Sequence, residues 1–203
     1  MKLVLASGNS KKLVEMRALF EPLGVELQSQ SALGISEAPE PHVTFLENAL
    51  AKARHAARES RCAAIADDSG LCVDALDGAP GVLSARYATL FGGAKGDAQN
   101  NAALLERMAS LRRSHDRRAS FVCVLVALRS ADDPEPLVAQ GRWVGELLTA
   151  QRGEGGFGYD PLLFIPSEGK TVAELPAERK NLISHRAQAS REMLALMRER
   201  WFA

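Results

Sequence analysis

Several groups of residues have types and spacings that could carry chemistry. The first is Ser7-Gly8-Asn9-Ser10-Lys11-Lys12. A glycine turn exposes backbone N–H groups, a helix beginning there adds partial positive charge, and two lysines add full charges, so the segment could hold a polyphosphate. An ordinary strand-to-helix turn with solvated lysines fits the same residues. The Gly-x4-Gly-Lys-Ser/Thr spacing of a P-loop is absent, and Gly169-Lys170-Thr171 ends like one but has Phe164 where the upstream glycine belongs.

The second group is Asp67-Asp68-Ser69-Gly70, at the end of an apolar run. Adjacent residues of extended chain point to opposite sides, so one carboxylate can face a site while the other ties down the backbone. Hard Mg²⁺ takes one or two such carboxylates, completing its shell with water and substrate phosphate. An Asx-type turn would use both aspartates on backbone amides instead. Glu37 and Glu40, in a loop stiffened by Pro39 and Pro41, could meet the aspartate and complete a metal site, or could simply be solvated.

Residues 153–160 read GEGGFGYD. They satisfy GxGxxG formally, but Tyr-Asp-Pro and a strand follow rather than a helix, which argues against a dinucleotide fold. Glycines around Phe157 and Tyr159 suit a loop that stacks on a flat ring, and equally suit a flexible connection whose aromatics enter the core. Finally, Lys180, Ser184, His185 and Arg186 surround a predicted helix start, where Ser184 as N-cap and solvent-facing charges would also account for them.

The elements that must position these residues are legible from periodicity. Residues 2–7 read as a buried strand, followed by a helix with Leu13, Met16, Leu19, Phe20 and Leu23 on one face. A second strand is expected at 25–28. Thr44 with Glu47 predicts a capping box opening a helix with Leu46, Ala49, Leu50, Ala53 and Ala57. Residues 63–66 read as a short strand stopped by the aspartates, with an apolar pattern resuming at 71–73. Asp97 is placed to cap a helix carrying Ala102, Leu105, Met108 and Leu111. A long strand at 119–128, a turn at 132–136, a return strand at 137–143, a strand at 162–165 and a helix from about 184 complete the chain. Hairpins mixed with strand–helix alternation predict an α/β fold with a mixed sheet flanked by helices.

With 203 residues the chain is expected to be one domain, burying roughly 70% of its unfolded surface. The 25 basic and 25 acidic residues balance, which argues against a nucleic-acid partner and suits a small charged ligand. Cys62, Cys72 and Cys123 lack metal-finger spacing and read as free thiols of a reducing compartment. The opening KLVLAS is too short for a signal peptide, and no apolar run reaches the roughly 20 residues of a membrane span. A cytoplasmic location is expected.

In order along the chain, SGNSKK, TFLENALAKA, ADDSGLCVDALDGAPGVLSARY, GGFGYDPLLF and SHRAQA resemble the inosine triphosphate pyrophosphatase family, from Leu3 to the last helix. The resemblance implies an elongated mixed sheet in two lobes with a central substrate groove, generally as a homodimer. It also implies Mg²⁺-dependent hydrolysis of dITP, ITP or XTP to the nucleoside monophosphate and pyrophosphate. By the same resemblance, Ser7, Gly8, Asn9, Ser10, Lys11 and Lys12 bind the triphosphate, with Lys52 adding a second charge. Asp68 is both metal ligand and proton acceptor, and Ser69 contacts substrate. Phe157, Gly158, Tyr159, Asp160, Lys180, His185 and Arg186 line the sugar and base end. Glu40 is the expected second metal ligand, by its distance from Lys52, and Glu37 is the alternative. Two rival activities are a house-cleaning pyrophosphatase for modified pyrimidine nucleotides and a nucleotide-binding module without turnover.

Overall fold

The computed structural model describes residues 2–8, 10–21, 24–111 and 113–202, with the side chains of residues 10, 11, 114 and 115 outside the description. Its strands are β1 (Lys2–Leu5), β2 (Glu26–Ser29), β3 (Ala63–Val73), β4 (Arg118–Leu128), β5 (Leu137–Leu147), β6 (Leu163–Ile165) and β7 (Lys170–Thr171). They form one mixed sheet in the order β2-β1-β3-β4-β5-β6-β7. β1 pairs parallel with both β2 and β3, whereas β6 pairs antiparallel with β5 and with β7. The helices are α1 (Ser10–Phe20), α2 (Phe45–Ser60), α3 (Asp97–Arg107), α4 (Ala177–Ile183) and α5 (His185–Trp201). The mixed α/β architecture agrees with the periodicity. No helix among the described residues is long and apolar enough to cross a membrane.

The chain divides into two compact units. The first comprises Met1–Asp68, Cys123–Gly141 and His185–Ala203. Leu3, Val4 and Leu5 are wholly buried, as expected of a parallel strand covered on both faces. One face packs Leu3, Leu5 and Ile65 against Met16 and Phe20 of α1 and Met193 and Met197 of α5. α2 buries a stripe of small residues, Ala49, Ala53, Ala56 and Ala57, so its backbone can lie close to its neighbours. Thr44 caps it by accepting the Glu47 N–H. The reciprocal half of the expected capping box is different: the Glu47 carboxylate accepts the Thr44 hydroxyl at 2.6 Å. The turn after β4 is built on Asp133, whose carboxylate accepts the N–H groups of Arg129 and Glu135. Gly141 must be glycine, because a Cβ there would lie 1.9 Å from the His185 carbonyl oxygen; that close approach sets the start of α5.

The second unit comprises Ser69–Val122 and Arg142–Ser184. Its core joins Leu71, Val73, Leu104, Met108, Phe121, Trp143, Leu147, Leu162 and Ile165. α3 organises the loops around it. Asn100 accepts the Ala88 N–H and donates to the Ala85 carbonyl, tying down the 3-10 segment Gly81–Phe91. Buried Arg117 donates to the carbonyls of Met108, Leu111, Leu147 and Leu148.

Three local expectations need correction. The strand predicted to stop at residue 66 continues unbroken through Asp67 and Asp68 to Val73, because lysine and arginine side chains neutralise carboxylates that looked like a turn. The return strand extends to Leu147 rather than 143. Asp97 is the first residue of α3 rather than its cap, and its carboxylate accepts a hydrogen bond from Gly158, outside the helix.

Candidate functional site

Alternation along β3 sends its two aspartates to different sides. Asp67, which shares the side of Ile65, meets side chains of α1 and α5, and Asp68 meets α2. The Asp67 Oδ2 atom lies 3.0 Å from the Lys12 ammonium and 3.4 Å from the Arg186 guanidinium, and Arg186 also donates to Glu15. Two cations and two carboxylates thus form a neutral cluster, with Asp67 at 1% and Arg186 at 2% exposure. Burial alone would push the Asp67 carboxyl up, but Lys12, then Arg186 and Lys52, outweigh it and hold it far below the usual carboxylate range. Burial would likewise lower the Arg186 value, yet Asp67 foremost raises it. The Cys123 thiol beside this cluster is pushed up to about 12 by burial and by Asp67, so it stays neutral.

Asp68 has the opposite environment. Burial pushes its carboxyl up, Lys52 pulls it down, Glu40 pushes it up again, and the net direction is upward. Its Oδ1 accepts from the Lys52 ammonium at 3.2 Å, whereas its Oδ2 is buried without a hydrogen-bond partner. An orphaned carboxylate oxygen in a site of this polarity needs an explanation, and a cation is the simplest one. The Lys52 ammonium also donates to Glu40 Oε1 at 2.8 Å, so one cation spans both carboxylates. Burial would lower the Lys52 value, but Asp67, Asp68 and Glu40 together raise it, and it remains charged.

A stripe of α2 holds Glu40 in place. Asn48, Lys52 and His55 are spaced i, i+4 and i+7, on one helix face. The Asn48 amide accepts the His42 N–H at 3.0 Å and donates to the His42 carbonyl at 3.2 Å. His55 bonds the Ser36 carbonyl at 2.9 Å. The loop carrying Glu40 is therefore fastened on both sides of the carboxylate. Glu37 lies elsewhere, against the Ser7-Gly8 turn: a Cβ on Gly8 would come within 2.3 Å of its Oε1.

In the second unit, Phe157, Asp160 and Lys180 form a cluster of their own. The Lys180 ammonium lies 2.8 Å from Asp160 Oδ2 and 4.6 Å from the centroid of the Phe157 ring, and the Phe157 N–H donates to Asp160 Oδ2 at 3.0 Å. Gly156 has φ +75, and a Cβ there would strike the Asp160 carboxylate, so this turn requires glycine. Tyr159 is buried and donates its hydroxyl to the Ser84 carbonyl at 2.8 Å. The aromatics divide their duties: Tyr159 anchors the loop in the core, and Phe157 is only partly covered.

Among the residues expected from sequence, Lys12, Lys52, Glu40, Asp68, His185 and Arg186 fall in the first unit, and Ser69, Phe157, Gly158, Tyr159, Asp160 and Lys180 in the second. Ser7 and Gly8 follow β1 after Ala6. Asn9 lies outside the described residues, as do the side chains of Ser10 and Lys11. Sequence reasoning missed Glu15 and Asn48. Glu15 could have been found as the acid three residues after Lys12 on the same helix face. Asn48 could have been found as the one amide within an otherwise alanine-lined helical face. Among the described residues, no group of three or more His, Cys, Asp or Glu side chains forms a metal cage. Two carboxylates suit an ion that takes its remaining ligands from water and phosphate.

Residues 3–196 match the Ham1 family. The chain is 64% identical over 211 residues to the dITP/XTP pyrophosphatase of Methylibium petroleiphilum, covering 100% of each sequence. It is 61% identical over 202 residues to the protein of the same name from Paracidovorax citrulli, again covering 100% of each. The solved structure of a HAM1 protein from Coxiella burnetii has a TM-score of 0.89 at 43% identity, covering 98% of this chain and 99% of that one. The nucleoside-triphosphatase / dITP/XTP pyrophosphatase of Mycobacterium abscessus has a TM-score of 0.74 at 38% identity, covering 97% and 98%. Full-length identity at this level, together with the shared fold, shows that the chain belongs to the Ham1 family.

Proposed function

We propose that this chain hydrolyses the non-standard purine nucleoside triphosphates dITP, ITP and XTP between the α and β phosphates, releasing the nucleoside monophosphate and pyrophosphate. One observation carries the reading: Lys52 bridges Glu40 and Asp68 while Asp68 Oδ2 stays buried and unpartnered. The relatives named dITP/XTP pyrophosphatase supply the substrate class.

Glu40 and Asp68 would hold Mg²⁺, the hard cation that their oxygen donors suit. When bound, the ion supplies charge neutralisation on the phosphate oxygens. Lys12 and Lys52 add to that neutralisation, and the segment from Ser7 to Lys12, which leads into the N-terminus of α1, receives the triphosphate. Asp68 orients the attacking water and takes its proton. The water oxygen bonds to the α-phosphorus as the bond to the bridging oxygen breaks, and pyrophosphate leaves.

At the base end, Phe157 offers a ring for stacking. Hypoxanthine and xanthine present a 6-keto acceptor where adenine presents an amino donor. A fixed donor from His185 or Arg186 rejects ATP by leaving partners unpaired, an effect that can reach roughly 10⁴-fold. The test is a panel of eight nucleotides with Mg²⁺, run on the wild type and on His185→Ala and Arg186→Ala. Preference for ITP, dITP and XTP over ATP and GTP supports the substrate class. Selectivity unchanged in both variants removes these residues from base reading.

A further inference from the structure

Asp97 and Asn101 stand one turn apart on α3, and both reach the same peptide. The Gly158 N–H donates to Asp97 Oδ2 at 2.7 Å, and Asn101 Nδ2 donates to the Gly158 carbonyl at 3.0 Å. The spacing i, i+4 puts both side chains on one helix face, so they close on Gly158 from its two polar ends.

Those two bonds hold Gly158 at both its polar groups. Its φ is +61, and a Cβ added there would meet no atom within 4 Å. Its conformation is left-handed, so glycine is the residue of choice, but glycine is also free to leave that conformation. The two side-chain hydrogen bonds oppose that freedom.

Neither side chain is explained by α3 alone. Asp97 would be favoured in a first helical turn by its charge, yet its hydrogen bond goes to the loop. Asn101 is 2% exposed, and its Oδ1 is buried with no hydrogen-bond partner. A buried unmet acceptor costs stability, so an apolar residue would serve the helix better. The amide is justified by its bond to Gly158. Asn48 does the same at the Glu40 loop, taking both polar groups of His42 with one side chain.

We propose that Asp97 and Asn101 are positioning residues for nucleobase selection: by clamping the Gly158 peptide they hold the neighbouring Phe157 ring as a fixed stacking surface. The inference rests on the base-recognition role given to Phe157 above. The next two links in the loop are already fixed, Phe157 through its N–H to Asp160 and Tyr159 through its hydroxyl to Ser84. With the clamp intact, the ordering cost of the loop is met before substrate arrives, and a purine of the wrong edge finds no loosened loop to accept it.

The experiment compares wild type, Asn101→Ala, Asn101→Asp, Asp97→Ala and Asp97→Asn. Asn101→Asp keeps the shape but sets an oxygen against the Gly158 carbonyl, so it tests the clamp even if an alanine variant fails to fold. Measured quantities are kcat and KM for ITP and ATP, the inhibition constant of tripolyphosphate, which has no base, and the melting temperature. The clamp predicts a KM for ITP raised about tenfold and a reduced ITP-over-ATP preference in Asn101→Ala, Asn101→Asp and Asp97→Ala. It predicts kcat and tripolyphosphate inhibition close to wild type, and recovery of most of the lost affinity in Asp97→Asn, which retains an acceptor. Unchanged KM and preference overturn the inference. So does a proportional loss of kcat, ITP affinity and tripolyphosphate affinity that follows the melting temperature. A wild type that does not turn over ITP overturns the proposed function, and this inference with it.

Discussion

Asp67 and Asp68 are consecutive residues of β3, yet their carboxyls are displaced in opposite directions: Asp67 falls and Asp68 rises. The cause is the alternation of the strand. Asp67 faces Lys12 and Arg186, where two cations compensate its burial. Asp68 shares one ammonium, that of Lys52, with the competing carboxylate of Glu40. One aspartate is a structural anchor, and its neighbour is the carboxylate proposed above as the base.

Asp68→Asn is expected to lower kcat by about 10²- to 10⁴-fold, the range typical of losing a general base. Its folded-state carboxyl is raised, so ionisation costs the wild type stability above that carboxyl's titration and costs nothing below it. The variant should therefore melt at or above the wild-type temperature at pH 7, with no such advantage at pH 3. Activity near wild type removes Asp68 from the chemistry.

Asp67→Asn should behave in the opposite way. A carboxyl held below its unfolded value stabilises the fold above the unfolded pKa of about 3.9, and that stability is lost as pH falls toward the folded value. Removing the charge leaves the buried Arg186 undercompensated, at a cost of about 3–5 kcal/mol at neutral pH. Urea unfolding from pH 7 down to pH 3 should show the gap from wild type narrowing below about pH 4. A gap independent of pH contradicts the ion cluster.

Asn48→Ala releases the His42 peptide and with it the loop that presents Glu40. The expected result is an apparent Mg²⁺ affinity about 10- to 100-fold weaker, as for other residues that orient metal ligands. kcat at saturating metal should fall much less. A titration of activity against Mg²⁺ separates the two, and unchanged metal dependence would show that the loop needs no such fastening.

Local signals were legible in the sequence and remote ones were not. Thr44 announced the start of α2 because its cap bond spans only three residues. The apolar runs of β1 and β4 announced buried strands for the same reason. Asp67 and Asp68 read as a strand end, since two charges beside Ser-Gly resemble a turn. What keeps them in the strand is Arg186, 119 residues away, with Lys12 and Lys52. Asp97 read as a cap because its partner, Gly158, lies 61 residues further along. Tertiary charge pairing overrode local propensity at each of these places.

Water directed by Asp68 onto the α-phosphorus leaves its oxygen in the nucleoside monophosphate, whichever nucleotide is cleaved. ITP hydrolysed in ¹⁸O-water with Mg²⁺, followed by mass analysis of the products, tests this most directly. The expected products are inosine monophosphate carrying one ¹⁸O atom and unlabelled pyrophosphate, with turnover abolished by EDTA. Label in pyrophosphate, or diphosphate and orthophosphate as products, would contradict it.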